Sequence, residues 1–321
     1  MKAVVVTHPG GPEVLQLVER PKPKLKPGWS RIKIKGFGLN HSEIFTRKGL
    51  SPSVQFPRVL GIEVVGIIDA TTSPKTLPVG QKVVSIMGEM GRNFDGSYAE
   101  YVLVPNHQIF YVNTALEWQE LAALPESFYT AFGIFKSLQI KPNDHILIRG
   151  VSSSVGVAVV KLIKSMSLSC TINGTTRSIG KVSKLHQVGV DHVTVTENPN
   201  LLPEGNTKYS KIADLVGPSS LLDSFQHLSE FGILSSTGQL GGQWTLPEFD
   251  PIMDIPNNRY LTGFYSGDVS QSLLEEMIMF VTTHSVDLMP EKVFSLNQIR
   301  EAHEYMDNSM GIGKVVVMTD D

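Results

Sequence analysis

The sequence predicts an α/β protein with two domains, on three observations. First, the chain has 321 residues, about twice the usual domain length of roughly 100–200 residues. Second, about the first 110 residues contain short Val- and Ile-rich runs separated by Gly, Pro, Ser and Asn, a pattern typical of strands that close into a barrel or sandwich. Third, beyond about residue 116 strand patterns alternate with helix patterns, which indicates a parallel sheet with helices on both faces.

Each element is predicted from its own pattern of apolar residues. The early strands are expected at residues 3–6, 31–35, 59–69, 82–87 and 98–104. The later strands are expected at 145–149, 169–174, 191–195, 212–216, 232–236 and 260–265, with helices at 117–123, 128–138, 155–166, 181–188 and 220–230. After a helix at 269–284, the tail carries a strand near Val293, a helix at 297–308 and a strand at 314–318. We expect this tail to return to the first domain, because two strands and one helix are too few to form a core alone.

Composition excludes several classes of function. The net charge of −3 disfavours a nucleic-acid-binding surface, which usually needs a basic excess. The chain has one cysteine, Cys170, so it has no intramolecular disulfide, and a structural zinc site with several thiolates is excluded by count. No apolar run approaches the ~20 residues of a membrane span. We therefore expect a cytoplasmic protein that contacts neither membrane nor nucleic acid.

A strand, a turn and a helix at residues 145–166 predict a phosphate site. The turn is Gly150-Val151-Ser152-Ser153-Ser154-Val155-Gly156. A turn that leads into a helix directs free N–H groups and the positive end of the helix dipole at one point, which suits a phosphate. The turn departs from the strict G-x-G-x-x-G pattern, since only Gly156 matches. A tight strand-to-helix turn without any ligand is the alternative.

The end of the second strand of this domain indicates which nucleotide is bound. NAD-binding sites place Asp or Glu about 20 residues beyond the glycines, to hold the ribose 2′-hydroxyl. Here the segment is Gly174-Thr175-Thr176-Arg177-Ser178, without a carboxylate. Arg177 offers donors suited to a 2′-phosphate, Ser178 another, and Lys181 follows one turn later. The sequence favours NADPH over NADH; the alternative for Arg177 is a solvated loop arginine.

An ordered set of motifs resembles the medium-chain dehydrogenase/reductase superfamily. The set begins with Gly38-Leu39-Asn40, a segment at 56–63, a Pro-Val-Gly segment at 78–83 and Gly96-Ser97-Tyr98-Ala99-Glu100-Tyr101. Leu124-Pro125 with Thr130-Ala131, the nucleotide turn, a segment at 189–193 and the closing Gly313-Lys314-Val315-Val316-Val317 follow in family order. The resemblance implies a GroES-like β-barrel catalytic domain at residues 1–123, to which 267–321 return, and a Rossmann doubly wound NADPH-binding domain at 124–266.

The same resemblance assigns expected site residues. Asn40 and Thr130 are expected near the nicotinamide. The candidate hydrogen-bond donors to the substrate are the Asn40 amide, the Ser42 hydroxyl and the nicotinamide ribose. The remaining cofactor contacts are expected at Ser152, Ser153, Ser154, Val155, Gly156, Thr175, Thr176, Arg177, Ser178, Lys181, Val216, Gly217, Ser236, Thr237, Gly238, Phe264, Tyr265 and Lys314. Many relatives are dimers joined through the edge of the Rossmann sheet, so a homodimer is expected.

Two substitutions relative to the zinc-dependent enzymes predict that no metal is bound. Those enzymes use Cys where this chain has Asn40, and His directly before a Glu where it has Ile62-Glu63. An amide and an aliphatic side chain cannot replace thiolate and imidazole as zinc ligands. The chain thus resembles the zinc-independent quinone oxidoreductases. Its substrate is expected to be small, apolar and already electrophilic, such as a quinone or an α,β-unsaturated carbonyl compound. Alternatives are a non-catalytic NADPH-binding redox sensor and an alcohol dehydrogenase-like reductase of another carbonyl class.

Overall fold

A computed structural model describes residues 1–203, 205–308 and 311–320 of the chain. The polypeptide divides into two units. The first comprises Met1–Glu126, Ser266–Met279 and Leu288–Asp321, and the second comprises Ser127–Tyr265 and Phe280–Asp287. The segment Phe280–Asp287 thus belongs to the second unit, whereas the sequence analysis assigned all of 267–321 to the first. No helix within the described ranges has the length and apolar character needed to cross a bilayer.

Strands and helices are numbered along the chain. The strands are β1 (Lys2–Val6), β2 (Leu15–Glu19), β3 (Trp29–Leu39), β4 (Arg58–Val59), β5 (Glu63–Thr71), β6 (Lys82–Ile86), β7 (Tyr101–Pro105), β8 (Phe110–Tyr111), β9 (His145–Arg149), β10 (Thr171–Thr176), β11 (His192–Val195), β12 (Tyr209–Asp214), β13 (Leu228–Ser236), β14 (Tyr260–Thr262), β15 (Lys292–Ser295) and β16 (Val315–Met318). The helices are α1 (His41–Arg47), α2 (Trp118–Ala123), α3 (Pro125–Leu138), α4 (Ser154–Ser165), α5 (Val182–Val188), α6 (Leu221–Gln226), α7 (Pro251–Asp254), α8 (Gln271–Thr283) and α9 (Ile299–Asp307).

The first unit is built on two sheets. One has the order β2-β1-β4, and the other has the order β15-β16-β3-β5-β6-β8, with β7 pairing with β3. The long strand β3 alternates buried and half-buried residues along most of its length, as expected of a strand with one face on the core. The closing strand β16 pairs antiparallel with β3, with Val315 opposite Leu39. This register places Lys314 beside the end of β3, where the Gly38-Leu39-Asn40 segment lies.

The second unit is built on a six-stranded sheet of order β11-β10-β9-β12-β13-β14, and every neighbouring pair is parallel. The strand β9 is apolar and mostly buried, as strands of a parallel sheet are. The predicted fold class is therefore confirmed. Because all six strands point the same way, their carboxyl ends meet at one edge of the sheet, where ligands of such sheets bind.

Several predicted elements of the second unit have different bounds. The helix predicted at 220–230 ends at Gln226, and β13 begins already at Leu228. The strand displaces the helix because Leu228 is fully buried and pairs with Tyr209 of β12. The strand predicted at 260–265 ends at Thr262. The short helix α1 was not predicted, since seven residues are too few for a clear periodic pattern.

Candidate active site

The turn between β9 and α4 has the geometry of an anion site. Ser153 caps α4: its hydroxyl oxygen accepts a hydrogen bond from the Gly156 N–H at 3.1 Å. The N–H groups of Ser152, Ser154 and Val155 have no acceptor among the described residues. Unpaired N–H groups at a helix N-terminus attract phosphate through hydrogen bonds and the helix dipole together. The turn can therefore hold a phosphate through three backbone donors.

The valine in this turn is accommodated by a glycine in the neighbouring strand. Val151 is fully buried. A Cβ atom on Gly174 of β10 would lie 2.5 Å from Val151 Cγ1, a separation that real Cβ atoms do not show. Gly156 similarly lets α4 approach the turn, because a Cβ there would lie 2.7 Å from the Val151 Cα. The absence of a side chain at Gly174 thus leaves room for Val151, so that the turn stays tight.

The end of β10 is joined to the turn by hydroxyl groups. Thr175 Oγ1 accepts a hydrogen bond from the Gly150 N–H at 3.1 Å, and the Thr176 hydroxyl donates to Ser152 Oγ at 3.3 Å. Arg177 follows and is exposed, and among the described residues its guanidinium has no hydrogen-bond or ion-pair partner. The arginine therefore presents its donors to solvent directly beside the candidate phosphate site.

A buried carboxylate organises the ends of β12 and β13. Asp214 Oδ1 accepts hydrogen bonds from the N–H groups of Val216 at 2.9 Å and Gly217 at 3.1 Å. Its backbone oxygen accepts from the Thr237 N–H at 3.0 Å. Gly217 has a φ of +104° and a Cβ there would lie 2.4 Å from the Gly238 oxygen, so glycine is required. Asp214 thus holds two of the predicted cofactor segments together, and the sequence analysis did not identify it.

The remaining predicted residues of the second unit differ in exposure. Thr130 is buried in α3. Phe264 packs on Tyr129, with 5.5 Å between ring centroids, and fills the space above Gly133. Tyr265 is 70% exposed. Phe264 therefore has a packing role of its own, while Tyr265 is available to a ligand.

In the first unit, Asn40 belongs to a buried polar cluster with Glu63 and Lys314. Lys314 Nζ donates to Glu63 Oε1 at 2.5 Å and to Asn40 Oδ1 at 2.7 Å. The Asn40 amide donates to Glu63 Oε1 at 2.9 Å and to Glu43 Oε1 at 3.4 Å. A Cβ on Gly38 would lie 2.3 Å from Glu63 Oε1. The glycine is thus required for the cluster, and both amide N–H groups of Asn40 are directed into it.

Glu43 is the second carboxyl group of this cluster. It is almost fully buried, and its Oε2 has no hydrogen-bond partner. Burial, followed by the negative charge of Glu63, raises the pKa of Glu43 to about 8. The cluster contains one ammonium group and two carboxyl groups, so the protonated form of one carboxyl group is favoured at neutral pH. The raised pKa of Glu43 indicates that Glu43 carries this proton.

A second group of hydrogen-bonded polar side chains connects α1 to α9. Arg47 is fully buried and donates to His303 Nδ1 at 2.9 Å and to Asp307 Oδ2 at 2.5 Å. His303 Nε2 lies 2.9 Å from the Tyr98 hydroxyl. Burial, and then the positive charge of Arg47, lowers the pKa of His303 to about 3, so the imidazole is neutral. These hydrogen bonds fix α1, and with it Asn40 and Ser42, against α9.

Ser42 lies one residue beyond the start of α1 and meets a loop residue that the sequence analysis did not assign to the site. Its hydroxyl oxygen accepts a hydrogen bond from Arg92 at 2.7 Å. Both side chains are half-buried. The two residues are 50 positions apart, so no local pattern could have predicted their contact.

Comparison with known proteins relates both units to one superfamily. Residues 26–114 match the alcohol dehydrogenase GroES-like domain, and residues 188–317 match the zinc-binding dehydrogenase family. The chain belongs to the medium-chain dehydrogenase/reductase superfamily. The resemblance seen in the sequence is therefore confirmed, and the medium-chain enzymes are oxidoreductases as a class.

Individual members of the superfamily cover nearly the whole chain. A zinc-type alcohol dehydrogenase-like protein of Schizosaccharomyces pombe is 26% identical, with 92% of each chain covered. The YhdH oxidoreductase of Salmonella enterica, solved in complex with NADP, has a TM-score of 0.87 at 18% identity, with 100% of each chain covered. The quinone oxidoreductase of Coxiella burnetii has a TM-score of 0.81 at 24% identity, covering 100% of this chain and 99% of that one. At these identities the two structures establish the fold.

The residues of this medium-chain superfamily member do not fit a catalytic zinc ion. A thiolate and an imidazole would be required at positions 40 and 62, where the chain has Asn40 and the buried aliphatic Ile62. Asn40 Oδ1 is directed to the Lys314 ammonium, whose charge would repel Zn²⁺. Within residues 1–203, 205–308 and 311–320, no three His, Cys, Asp or Glu side chains are grouped to hold a metal. The polar cluster is thus built around an ammonium group.

The predicted site residues fall mainly into two groups. The segments 152–156, 175–178, 216–217 and 236–238 lie at or directly beyond the ends of strands β9, β10, β12 and β13, at the carboxyl edge of the parallel sheet. Asn40, Ser42 and Lys314 belong to the first unit. Their roles stay predictions. Glu43, Glu63, Arg92 and Asp214 were not predicted as site residues; Glu63, in the segment that resembles the superfamily motif, and Asp214, a carboxylate closing an apolar strand, carry a signal in the sequence itself.

Proposed function

We propose that the chain is a cytoplasmic, NADPH-dependent reductase of quinones or α,β-unsaturated carbonyl compounds, in the zinc-independent quinone oxidoreductase-like branch of its superfamily. One observation carries the proposal: a serine-rich turn with three unpaired N–H groups lies beside the unpaired guanidinium of Arg177. A pyrophosphate fits the first feature and a 2′-phosphate the second. A single free cysteine, Cys170, agrees with a reducing compartment.

The residues at the carboxyl edge of the sheet would hold the cofactor. Ser152, Ser154 and Val155 would donate backbone N–H groups to the pyrophosphate, and Arg177 with Ser178 would bind the 2′-phosphate. The segments at 216–217 and 236–238 would line the path to the nicotinamide. When bound, the dinucleotide supplies a hydride. The protein's part is to orient that hydride and to stabilise the charge that develops on the substrate.

The choice of substrate follows from the chemistry of the first unit. The cluster of Asn40, Glu63 and Lys314 offers an ammonium group where the zinc-dependent relatives hold a Lewis acid, so an unactivated alcohol or ketone is a poor substrate. A quinone or an enone accepts hydride readily, because conjugation spreads the resulting negative charge. Asn40 would act mainly by positioning the cluster, since its N–H groups are directed to Glu63 and Glu43. The Ser42 hydroxyl would be the donor nearer to the substrate.

Replacing Arg177 with alanine tests the cofactor assignment. We expect NADPH affinity to fall by ~5- to ~150-fold, the equivalent of about 1–3 kcal/mol for a charge-assisted hydrogen bond, while NADH affinity stays unchanged. Calorimetric titration with both dinucleotides measures the effect. Lys208→Ala removes an exposed cation just before β12, at the opposite edge of the sheet, and serves as the control. Equal losses for NADH and NADPH, or no loss, would contradict a 2′-phosphate site at Arg177.

Turnover separates this function from its two alternatives. Oxidation of NADPH with a simple quinone or enone, followed at the nicotinamide absorbance, is expected for a reductase of this class. Tight NADPH binding without turnover of either compound would favour a non-catalytic redox sensor. Turnover of saturated aldehydes or ketones alone would favour an alcohol dehydrogenase-like reductase. Absence of dinucleotide binding would overturn the whole assignment.

The exposed edge of the parallel sheet supports a homodimer. The edge strand β14 presents Tyr260, 55% exposed, and Leu261, 37% exposed. Strands at an open edge have unpaired backbone groups, which a second copy can pair. We expect Tyr260→Lys to shift the chain from dimer to monomer in sedimentation, while Tyr111→Lys, an exposed tyrosine of the first unit, leaves the dimer intact. A wild-type chain that sediments as a monomer would contradict this arrangement.

A further inference from the structure

The loop after β6 holds Arg92 in a fixed position. The Arg92 N–H donates to the Glu89 oxygen at 3.1 Å, and the Gly91 N–H donates to the Phe94 oxygen at 2.9 Å. Gly91 has a φ of +74°, and a Cβ there would lie 2.6 Å from the Gly61 oxygen. The loop thus packs backbone to backbone on the segment before β5, which leaves it little freedom to move.

The Arg92 guanidinium is a half-buried positive charge. It donates one hydrogen bond, to Ser42 Oγ at 2.7 Å. Among the residues that the structure describes, no carboxylate forms an ion pair with it, and its buried Nε has no partner. By contrast, Arg47 and Arg149 each pair with an aspartate. Removing a cation from water without an anion is unfavourable, so this arrangement is typical of a group that receives an anionic partner in function.

The contact with Arg92 also determines what the Ser42 hydroxyl can do. A hydroxyl oxygen that accepts a hydrogen bond from a guanidinium must direct its own hydrogen elsewhere. The positive charge polarises the O–H bond and strengthens it as a donor. Ser42 and Arg92 together therefore form a pair of donors whose natural partner is a negatively charged oxygen.

We propose that Arg92, acting with Ser42, stabilises the oxygen anion that forms on the substrate when it is reduced. This inference rests on the proposed reductase function. Hydride adds to the β-carbon of the enone, the C=C electron pair moves toward the carbonyl carbon, and the carbonyl electron pair moves to oxygen. Arg92 and Ser42 hold the resulting enolate. A proton from solvent then enters at the α-carbon, and the dihydronicotinamide has been oxidised by two electrons.

Substitution of Arg92 by methionine gives the kinetic test. Methionine fills a similar volume and removes the charge, so we expect kcat to fall on the order of 100-fold, as for loss of one donor to an oxyanion. NADPH affinity and Tm are expected to stay near the wild-type values. Arg20→Met is the matched control, because Arg20 contacts Asp95 in the same loop but is remote from Ser42. Wild-type kcat in Arg92→Met overturns the proposal, as does an equal loss in Arg20→Met.

Chemical rescue distinguishes an electrostatic role from a structural one. In Arg92→Ala the guanidinium group is removed from the space it occupied, and low, non-denaturing concentrations of guanidinium chloride are expected to restore at least a tenth of the lost rate. Sodium chloride at equal ionic strength is expected to restore none. Equal effects of the two salts overturn the proposal. Ser42→Ala is expected to make rescue weaker, since the second donor is then missing.

An absorbance measurement tests the anion preference without turnover. 4-Nitrophenol absorbs visible light only as the phenolate, so wild-type protein is expected to increase its ionised fraction near neutral pH. Arg92→Met is expected to lose that increase. No increase with wild-type protein, or the same increase with Arg92→Met, overturns the proposal. A wild-type chain that reduces no quinone or enone would instead overturn the proposed function, and the nitrophenol result would stand independently.

Discussion

Replacing Glu43 with glutamine is expected to remove the contribution of this carboxyl group to the pH dependence of stability between about pH 4.5 and pH 8. Burial, and then the negative charge of Glu63, raises the pKa of Glu43 to about 8 from its ordinary value of 4.5. Across this interval the unfolded chain ionises at position 43 while the folded chain keeps its proton. The contribution of Glu43 to stability is therefore fully present below the unfolded pKa and is lost as the pH rises toward the folded one. At about 1.4 kcal/mol per pH unit, the loss is on the order of 4–5 kcal/mol.

Urea unfolding of wild type and Glu43→Gln between pH 5 and pH 9 measures this difference. The glutamine variant is expected to be the more stable of the two at pH 9, because it has no charge to bury. Glu63, Lys314 and Tyr98 surround the carboxyl group and are unchanged in both proteins. Glu304→Gln, at an exposed position of α9, is the control and is expected to follow the wild-type profile. Parallel profiles for wild type and Glu43→Gln would show that Glu43 is ionised in the folded protein.

Replacing Arg47 with methionine is expected to lower the free energy of unfolding by about 1.5–3 kcal/mol, the cost of losing the charge-assisted hydrogen bonds of a buried guanidinium. Arg47 is fully buried and joins α1 to Asp307 and to the neutral His303, and it also donates to the Gly10 oxygen at 3.2 Å. Without the guanidinium, Asp307 loses its buried partner and His303 Nδ1 loses its donor. Thermal and urea unfolding measure the loss.

Lys48→Met is the matched control for Arg47→Met. Lys48 bonds the other oxygen of Asp307 at 2.8 Å, but its side chain is 46% exposed. Solvent screening limits such a pair to about 0–1 kcal/mol. Equal losses of stability in the two variants would show that burial does not make the Arg47–Asp307 pair stronger than the Lys48–Asp307 pair. The comparison isolates the effect of burial, because both cations share one aspartate.

The sequence predicted the strand, turn and helix at residues 145–166 well because the required information is local. A buried apolar strand, a short run of small residues and a helix with a serine cap lie within about 20 consecutive residues. Only the compensation between Val151 and Gly174 was missed, since it joins a turn to a neighbouring strand. The bounds of α6 and β13 were missed for a similar reason: the pairing of Leu228 with Tyr209 outweighs the helical pattern of the segment.

By itself, the sequence determined the two-domain α/β organisation, the parallel sheet, the order of the superfamily motifs and the residue types that exclude a zinc ion. These follow from periodicity and side-chain chemistry at single positions. Only the tertiary structure decided that Lys314 meets Asn40 across 274 positions, that Arg47 reaches Asp307 across 260, and that Arg92 meets Ser42. Such contacts depend on which strands are neighbours and on how loops pack, and neither is encoded in the spacing of residues along the chain.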